Sequence, residues 1–173
     1  MDNLLKIGIS SCLCGEKVRY DGGDNRDLKL VATLGKYFHL LPVCPEVGSG
    51  MPVPRERMRL EGNRANPRLV AIESRTDLTD QMRSYCVDKV AELEREEICG
   101  FVFKTNSPTS GLHQVKVYNS GLAIRYGRGL FAAEVVKRFP HLPVEEESAL
   151  ADAILRENFI ERVYTYARWK GSR

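Results

Sequence analysis

Long hydrophobic runs are missing from this chain. The longest stretch without Lys, Arg, Asp or Glu is Thr105 to Val115, far short of the ~20 apolar residues of a membrane helix and rich in Ser, Pro and Gly. No segment is expected to span or join a membrane. Met1 to Ser10 carries Asp2 and Lys6 around a short apolar run that leads straight into a strand, unlike a signal peptide, which predicts a cytoplasmic protein. Charge of one sign is also scarce: the net value is +3, with 26 basic against 23 acidic residues, too little to announce a nucleic-acid binder by itself. Glycine and proline are limited to 14 and 8 of 173 residues, which excludes collagen-like and low-complexity chains. There is no C-x-x-C pair for a zinc or ferredoxin-type site. Neither G-x-G-x-x-G nor G-x-x-x-x-G-K-[ST] follows a strand, so a nucleotide-binding fingerprint is absent.

What remains is an ordinary soluble composition, 43% hydrophobic and 28% charged, at a length that suits a single domain with one sizeable core. Apolar runs predict strands at Leu4 to Ser10, His39 to Val43, Leu69 to Glu73, Cys99 to Lys104, Val115 to Tyr118 and Leu142 to Glu145. Helical spacing predicts a helix capped by Asp24 with Leu28, Val31, Leu34 and Phe38 on one face. Others are predicted from Asp77 to about Arg95 (Met82, Cys86, Val90, Leu93), from Leu130 to Phe139, and from Ala149 to about Trp169. Cys44-Pro45-Glu46 opens a long Gly/Pro loop that a helix or strand could hardly occupy. The alternation implies an α/β fold, a Rossmann-like single domain with a mainly parallel sheet in three α/β/α layers.

In such sheets ligands sit beyond the carboxyl ends of the strands. Three irregular segments follow strands directly: Ser11 to Gly15, Cys44-Pro45-Glu46, and Ser107 to Gly111. They should converge on one edge, and each offers a soft or nucleophilic atom. Five cysteines without a signal peptide argue for reduced thiols rather than a disulfide framework. Cys86 and Cys99 lie at packing positions. Cys12 and Cys14 alone read equally as small buried hydrophobes, whereas Cys44 beside Glu46 puts two anionic groups together and calls for a compensating cation or metal. Ser107 alone could be a turn residue using its hydroxyl on the backbone, and His113, His39 and His141 read as ordinary polar residues. Arg55, Arg57, Arg59, Arg64 and Arg68, against Glu56 and Glu61, make the segment between Val47 and Leu69 basic; it reads as a solvated loop or as an anion contact.

Taken together, Ser-x-Cys-Leu-x-Gly-x-x-Val-Arg-Tyr-Asp-Gly (Ser10 to Gly22), Cys-Pro-Glu-Val-x-x-Gly-Met-x-x-Pro-Arg (Cys44 to Arg55) and Lys-x-x-Ser-Pro-x-x-Gly (Lys104 to Gly111) resemble the TudS-type desulfidases. Val-Lys-Val-Tyr at 115 to 118, Gly-Arg-Gly-Leu-Phe-Ala at 127 to 132 and Leu-Arg-Glu-Asn-Phe-Ile-Glu-Arg-Val at 155 to 163 resemble the subgroup that carries a further C-terminal domain and acts on thiolated uridine in RNA. The resemblance implies a desulfidase domain over residues 1–145 and, over 146–173, a closing helix leading toward a second domain absent from this chain.

It also implies a 4Fe-4S cluster held by three cysteines, with one iron left open for the sulfur of a thiocarbonyl. The implied ligands are Cys12, Cys44 and the residue at Ser110, where the family has cysteine. Serine is a harder and weaker iron ligand than thiolate. Three explanations compete: an altered residue at this position, takeover by Cys14, and loss of the cluster with binding retained. Glu46 is implied to handle protons, and Ser107 to position or relay to the substrate. Tyr20 and Tyr118 are stacking candidates. The enzyme reading is sulfur removal from a thiolated pyrimidine base or nucleoside, or from tRNA. Its rival is a non-catalytic module for RNA or a thiopyrimidine, cluster-free or zinc-loaded.

Overall fold

Strands form here where β-branched and aromatic residues alternate between two faces. Phe38 and Leu40 of one strand pack with Ile7 and Ile9 of its neighbour, while Leu41 and Val43, at the alternate positions, pack on the opposite side. The computed structural model describes residues 3–173; Met1 and Asp2, part of the N-terminal run, lie outside the described residues. Four strands, β1 (Leu5–Ser10), β2 (Phe38–Val43), β5 (Phe101–Phe103) and β8 (Val144–Glu146), pair in parallel in the order β2-β1-β5-β8. One face carries α1 (Leu28–Leu34) and α5 (Ala153–Gly171) through Leu30, Leu34, Phe159 and Val163. The other carries α3 (Thr79–Arg95) and α4 (Leu130–Arg138) through Met82, Cys86, Val90, Phe131 and Val135. The chain is therefore a three-layer α/β structure, as the alternation of elements implies.

A second sheet departs from that expectation. Strands β4 (Arg68–Ala71), β3 (Met58–Glu61), β6 (Val115–Asn119) and β7 (Leu122–Gly127) pair in this order, with β3 and β6 parallel and both outer pairs antiparallel. The apparent third strand of the main sheet, Leu69 to Glu73, is thus β4, paired antiparallel to β3 and ending at Ala71. The run from 115 belongs to the same sheet. The Gly/Pro loop after Cys44 is not wholly irregular, since it contains a short helix α2 (Pro45–Gly48) and β3 itself. Strand β7, unanticipated from the sequence, follows a two-residue turn in which Ser120 and Gly121 both have positive φ, the conformation that matches a hairpin's twist.

The first helix is shorter than its apolar periodicity suggests. Asp27, not Asp24, caps it by accepting from the Leu30 amide at 3.1 Å. It ends at Leu34, and Phe38 opens β2. Gly35 at its C-cap stays right-handed, at φ −63°, and donates to the Val31 carbonyl at 2.9 Å.

Candidate active site

The carboxyl ends of β1, β2 and β5 open onto one cavity of about 590 Å3, lined by Cys12, Cys44, Glu46, Ser107 and Ser110 among others. The convergence follows from strand order: β1 lies between β2 and β5, so three neighbouring strands deliver three loops to one edge.

The first loop is a 3-10 turn, Ser11–Cys14, closed by Gly15 at φ 88°. It is braced from behind, where the Asn25 and Asp27 amides donate to the Cys12 and Leu13 carbonyls at 3.0 and 2.9 Å. Asn25 also directs its side-chain amide toward the Cys12 sulfur, at 3.9 Å, and Arg19 donates to the oxygen of that same side chain. Cys12 lines the cavity. Cys14 does not; it packs against the apolar cluster of Ile7, Leu13 and Leu30.

In the second loop Cys44 stands at the N-cap of α2, with Pro45 at its first position. The Cys44 thiol donates to Glu46 Oε2 at 3.5 Å, and Thr109 Oγ1 donates to Glu46 Oε1 at 2.6 Å. Both carboxylate oxygens are thereby held, one from its own loop and one from the third.

The third loop is tied down at several points. The Lys104 amide donates to Ser10 Oγ at 3.0 Å, joining it to β1. Glu147, next to the end of β8, accepts from Lys104 Nζ at 2.8 Å and from the Thr105 amide and hydroxyl at 2.7 and 2.9 Å. Buried Glu146 accepts from the Leu112 amide at 3.2 Å. Asn106 turns the chain at φ 64°, a left-handed conformation that asparagine tolerates. Ser107 Oγ then accepts from the Ser110 and Thr109 amides at 3.0 and 3.3 Å.

The N-terminus of α4 completes the support, its Leu130, Phe131 and Ala132 amides donating to the carbonyls of Pro108 and Thr109. These are the orphan donors of a helix start, spent on the site loop. A Cβ at Gly129 would lie 2.4 Å from the Thr109 carbonyl carbon, so only glycine permits this approach. The Gly-Arg-Gly-Leu-Phe-Ala run owes its place to this docking.

Burial and anionic neighbours govern the thiols. Burial, and then Glu46, push Cys44 up to about 12. Burial also raises Cys12, opposed by Asn25 and Lys104. Such thiols stay protonated at neutral pH unless a cation displaces the proton, which is how metal binding couples to thiolate formation. Two soft sulfurs lining one cavity suit iron, whereas the Ser110 hydroxyl that also lines it is a harder donor. Among the described residues no three His, Cys, Asp or Glu side chains form a group able to hold a metal ion.

The arginine run divides between two surroundings. Arg55, Arg57 and Arg59 line the cavity, with Arg19, Lys104 and Lys116. Arg68 instead pairs with Asp77 at 2.9 Å, and Arg64 lines a separate depression with His113 and Arg128. Arg59 lies over the Tyr118 ring at 4.4 Å and is held by Glu61 at 2.7 Å; Arg57 lies over Tyr20 at 5.5 Å. Both tyrosines line the cavity. His141 packs against Trp169, and Cys86 and Cys99 are buried in the two apolar clusters.

Thr109, Asn25, Lys104 and Glu147 are site residues that the sequence reading did not single out. Thr109 and Lys104 stand inside a quoted motif, so their signal was present. Nothing local to Glu147 marks it, because its partners lie 42 and 43 residues away.

The match to the 2-thiouracil desulfurase family spans residues 7–147. A solved structure described as a [4Fe-4S]-dependent thiouracil desulfidase, TudS, superposes with a TM-score of 0.69 at 27% identity, covering 89% of this chain and 98% of that one. No curated protein matches significantly. With the family match running from within β1 to just beyond β8, and with the same three loops gathered at one sheet edge, this chain belongs to the 2-thiouracil desulfurase family.

Proposed function

We propose that this chain removes sulfur from a thiolated pyrimidine with the help of a 4Fe-4S cluster. The observation that carries the reading is the meeting of Cys12, Cys44, Ser110, Glu46 and Ser107 around one cavity in a chain of this family. Replacing C=S by C=O consumes one water and releases hydrogen sulfide, with no net electron transfer. When bound, the cluster supplies an open iron, a soft Lewis acid for the thiocarbonyl sulfur. Cys12 and Cys44 would hold it as thiolates, with the Ser110 oxygen as third donor.

The chain's own groups serve the proton traffic. Glu46, fixed at both oxygens, is placed to activate the attacking water or protonate the departing group. Ser107 positions the substrate or passes a proton to it. The basic rim with Tyr20 and Tyr118 supports a substrate that brings phosphates with its base, a nucleotide or an RNA such as tRNA, since cations meet phosphates and aromatic rings stack bases. RNA affinity that falls with rising salt, and falls less steeply after Arg57→Ala, is the expected signature.

Ser110 favours a second reading, a cluster-free module that only binds thiopyrimidines or RNA, because a hydroxyl holds iron more weakly than thiolate. Anaerobic reconstitution of this chain beside its Ser110→Cys variant separates the two. Roughly four irons per chain with absorption near ~400 nm are expected in the cysteine variant, and fewer in the unchanged chain. Sulfide release from 2-thiouracil or 2-thiouridine by either protein establishes the desulfidase, and Glu46→Gln in the active form is expected to stop turnover without loss of iron. Binding without sulfide release from both proteins leaves the module as the correct reading.

A further inference from the structure

Thr109 lines no part of the cavity and is fully buried, yet it touches both residues read as proton handlers. Its hydroxyl donates to Glu46 Oε1 at 2.6 Å and lies 3.1 Å from Ser107 Oγ. A carboxylate only accepts, so the single Thr109 proton is committed to Glu46 and the hydrogen bond between the two hydroxyls must be donated by Ser107. Ser107 Oγ in turn receives the Thr109 and Ser110 amides. In the substrate-free site the result is an ordered row, amides to Ser107 to Thr109 to Glu46, and Ser107 reaches a substrate by turning its proton from Thr109 toward the cavity it lines. The backbone of Thr109 is fixed independently, since its carbonyl accepts from Phe131 and Ala132 at 2.8 and 3.1 Å. Its hydroxyl therefore stands on a rigid base.

We propose that Thr109 is a positioning residue: through its hydroxyl it sets the Glu46 carboxylate and the Ser107 hydroxyl in fixed relation to each other and to the cavity. The proposal rests on the desulfidase reading and deepens it. A buried threonine could instead serve through its methyl group, and two variants separate these roles in opposite directions. Thr109→Val keeps the shape and loses the hydroxyl, whereas Thr109→Ser keeps the hydroxyl and loses the methyl.

The test measures kcat and KM for 2-thiouracil on reconstituted Ser110→Cys protein carrying each change, together with iron content and thermal midpoint. A small misplacement of a catalytic group costs on the order of 100-fold in rate. We expect kcat to fall by about that factor in Thr109→Val, with KM and iron unchanged, and to stay near the parent in Thr109→Ser. In the metal-free protein, proton NMR should show an exchange-protected hydroxyl signal next to the Thr109 methyl, absent in Thr109→Val.

Parent-like kcat in Thr109→Val with impairment in Thr109→Ser overturns the proposal and leaves the desulfidase standing. An inactive, iron-loaded parent overturns the desulfidase reading instead. The NMR measurement then still decides the contact, and a missing signal in the unmodified chain overturns it even where Thr109→Val fails to fold.

Discussion

Cys44 and Glu46 impose opposite demands on each other, and the conflict has a measurable consequence. Glu46 accepts from the Cys44 thiol and, after burial, is the largest influence holding that thiol up at about 12. Thiolate is the reactive form, and below its pKa the thiolate fraction rises tenfold for each unit the pKa falls. Neutralising Glu46 removes a raising influence, so the Cys44 pKa must move down. In metal-free protein at mildly alkaline pH, Glu46→Gln is expected to speed alkylation of Cys44 by iodoacetamide severalfold, read by peptide mapping. Cys86, also held up to about 12 mainly by burial within α3, serves as the unreactive reference. An unchanged Cys44 rate would show that burial alone controls the thiol.

At the scale of elements, the site is as firm as the docking of the third loop onto α4. Gly129→Ala would drive a methyl carbon into the Thr109 carbonyl and force either the loop or the helix start to move. Overpacking of this kind costs about 1–3 kcal/mol. The variant is expected to lower the thermal midpoint and also, because Ser110 and Thr109 move with the loop, to weaken iron retention in Ser110→Cys protein. Loss of stability with full iron retention would mean that the helix start yields and the loop does not.

This docking also marks how far the sequence could be read. The three loops and their meeting point were legible, because strand, loop and helix alternate and each loop carries its own Gly, Pro or Cys signature. The pairing of β3 with β6, far apart in the chain, was not, because a four-residue strand inside a Gly/Pro-rich stretch carries too few apolar positions to show a period of two. The Ser120-Gly121 turn and β7 were not read either, because Leu122 and Ile124 are exposed and offer no buried face to show a period of two. Cys14 illustrates the converse: its spacing from Cys12 suggests a shared role, but the tight 3-10 turn leaves it against the apolar cluster while Cys12 lines the cavity.

For the whole molecule, the remaining question is what α5 contributes beyond the family match that ends at residue 147. Its Phe159 and Val163 are fully buried against Ile7 of the central strand β1 and beside Gly100, where a Cβ would come within 3.4 Å of all three side chains. Asp152 caps it by accepting from the Ile154 and Leu155 amides, and Arg162 ties it to Glu145 on β8 at 2.6 Å. The helix thus covers one face of the parallel sheet, and we propose that it is an integral layer of the domain and not an appendage. Removing the Phe159 ring leaves a cavity directly behind the strand that delivers Cys12. Substitutions of this kind cost about 3–5 kcal/mol, a large share of the about 5–15 kcal/mol that holds a domain together. Phe159→Ala is therefore expected to lower the urea midpoint in a single transition followed equally by far-ultraviolet circular dichroism and by Trp169 fluorescence. An early, separate transition in fluorescence alone would instead make α5 a loosely attached element whose loss the site survives.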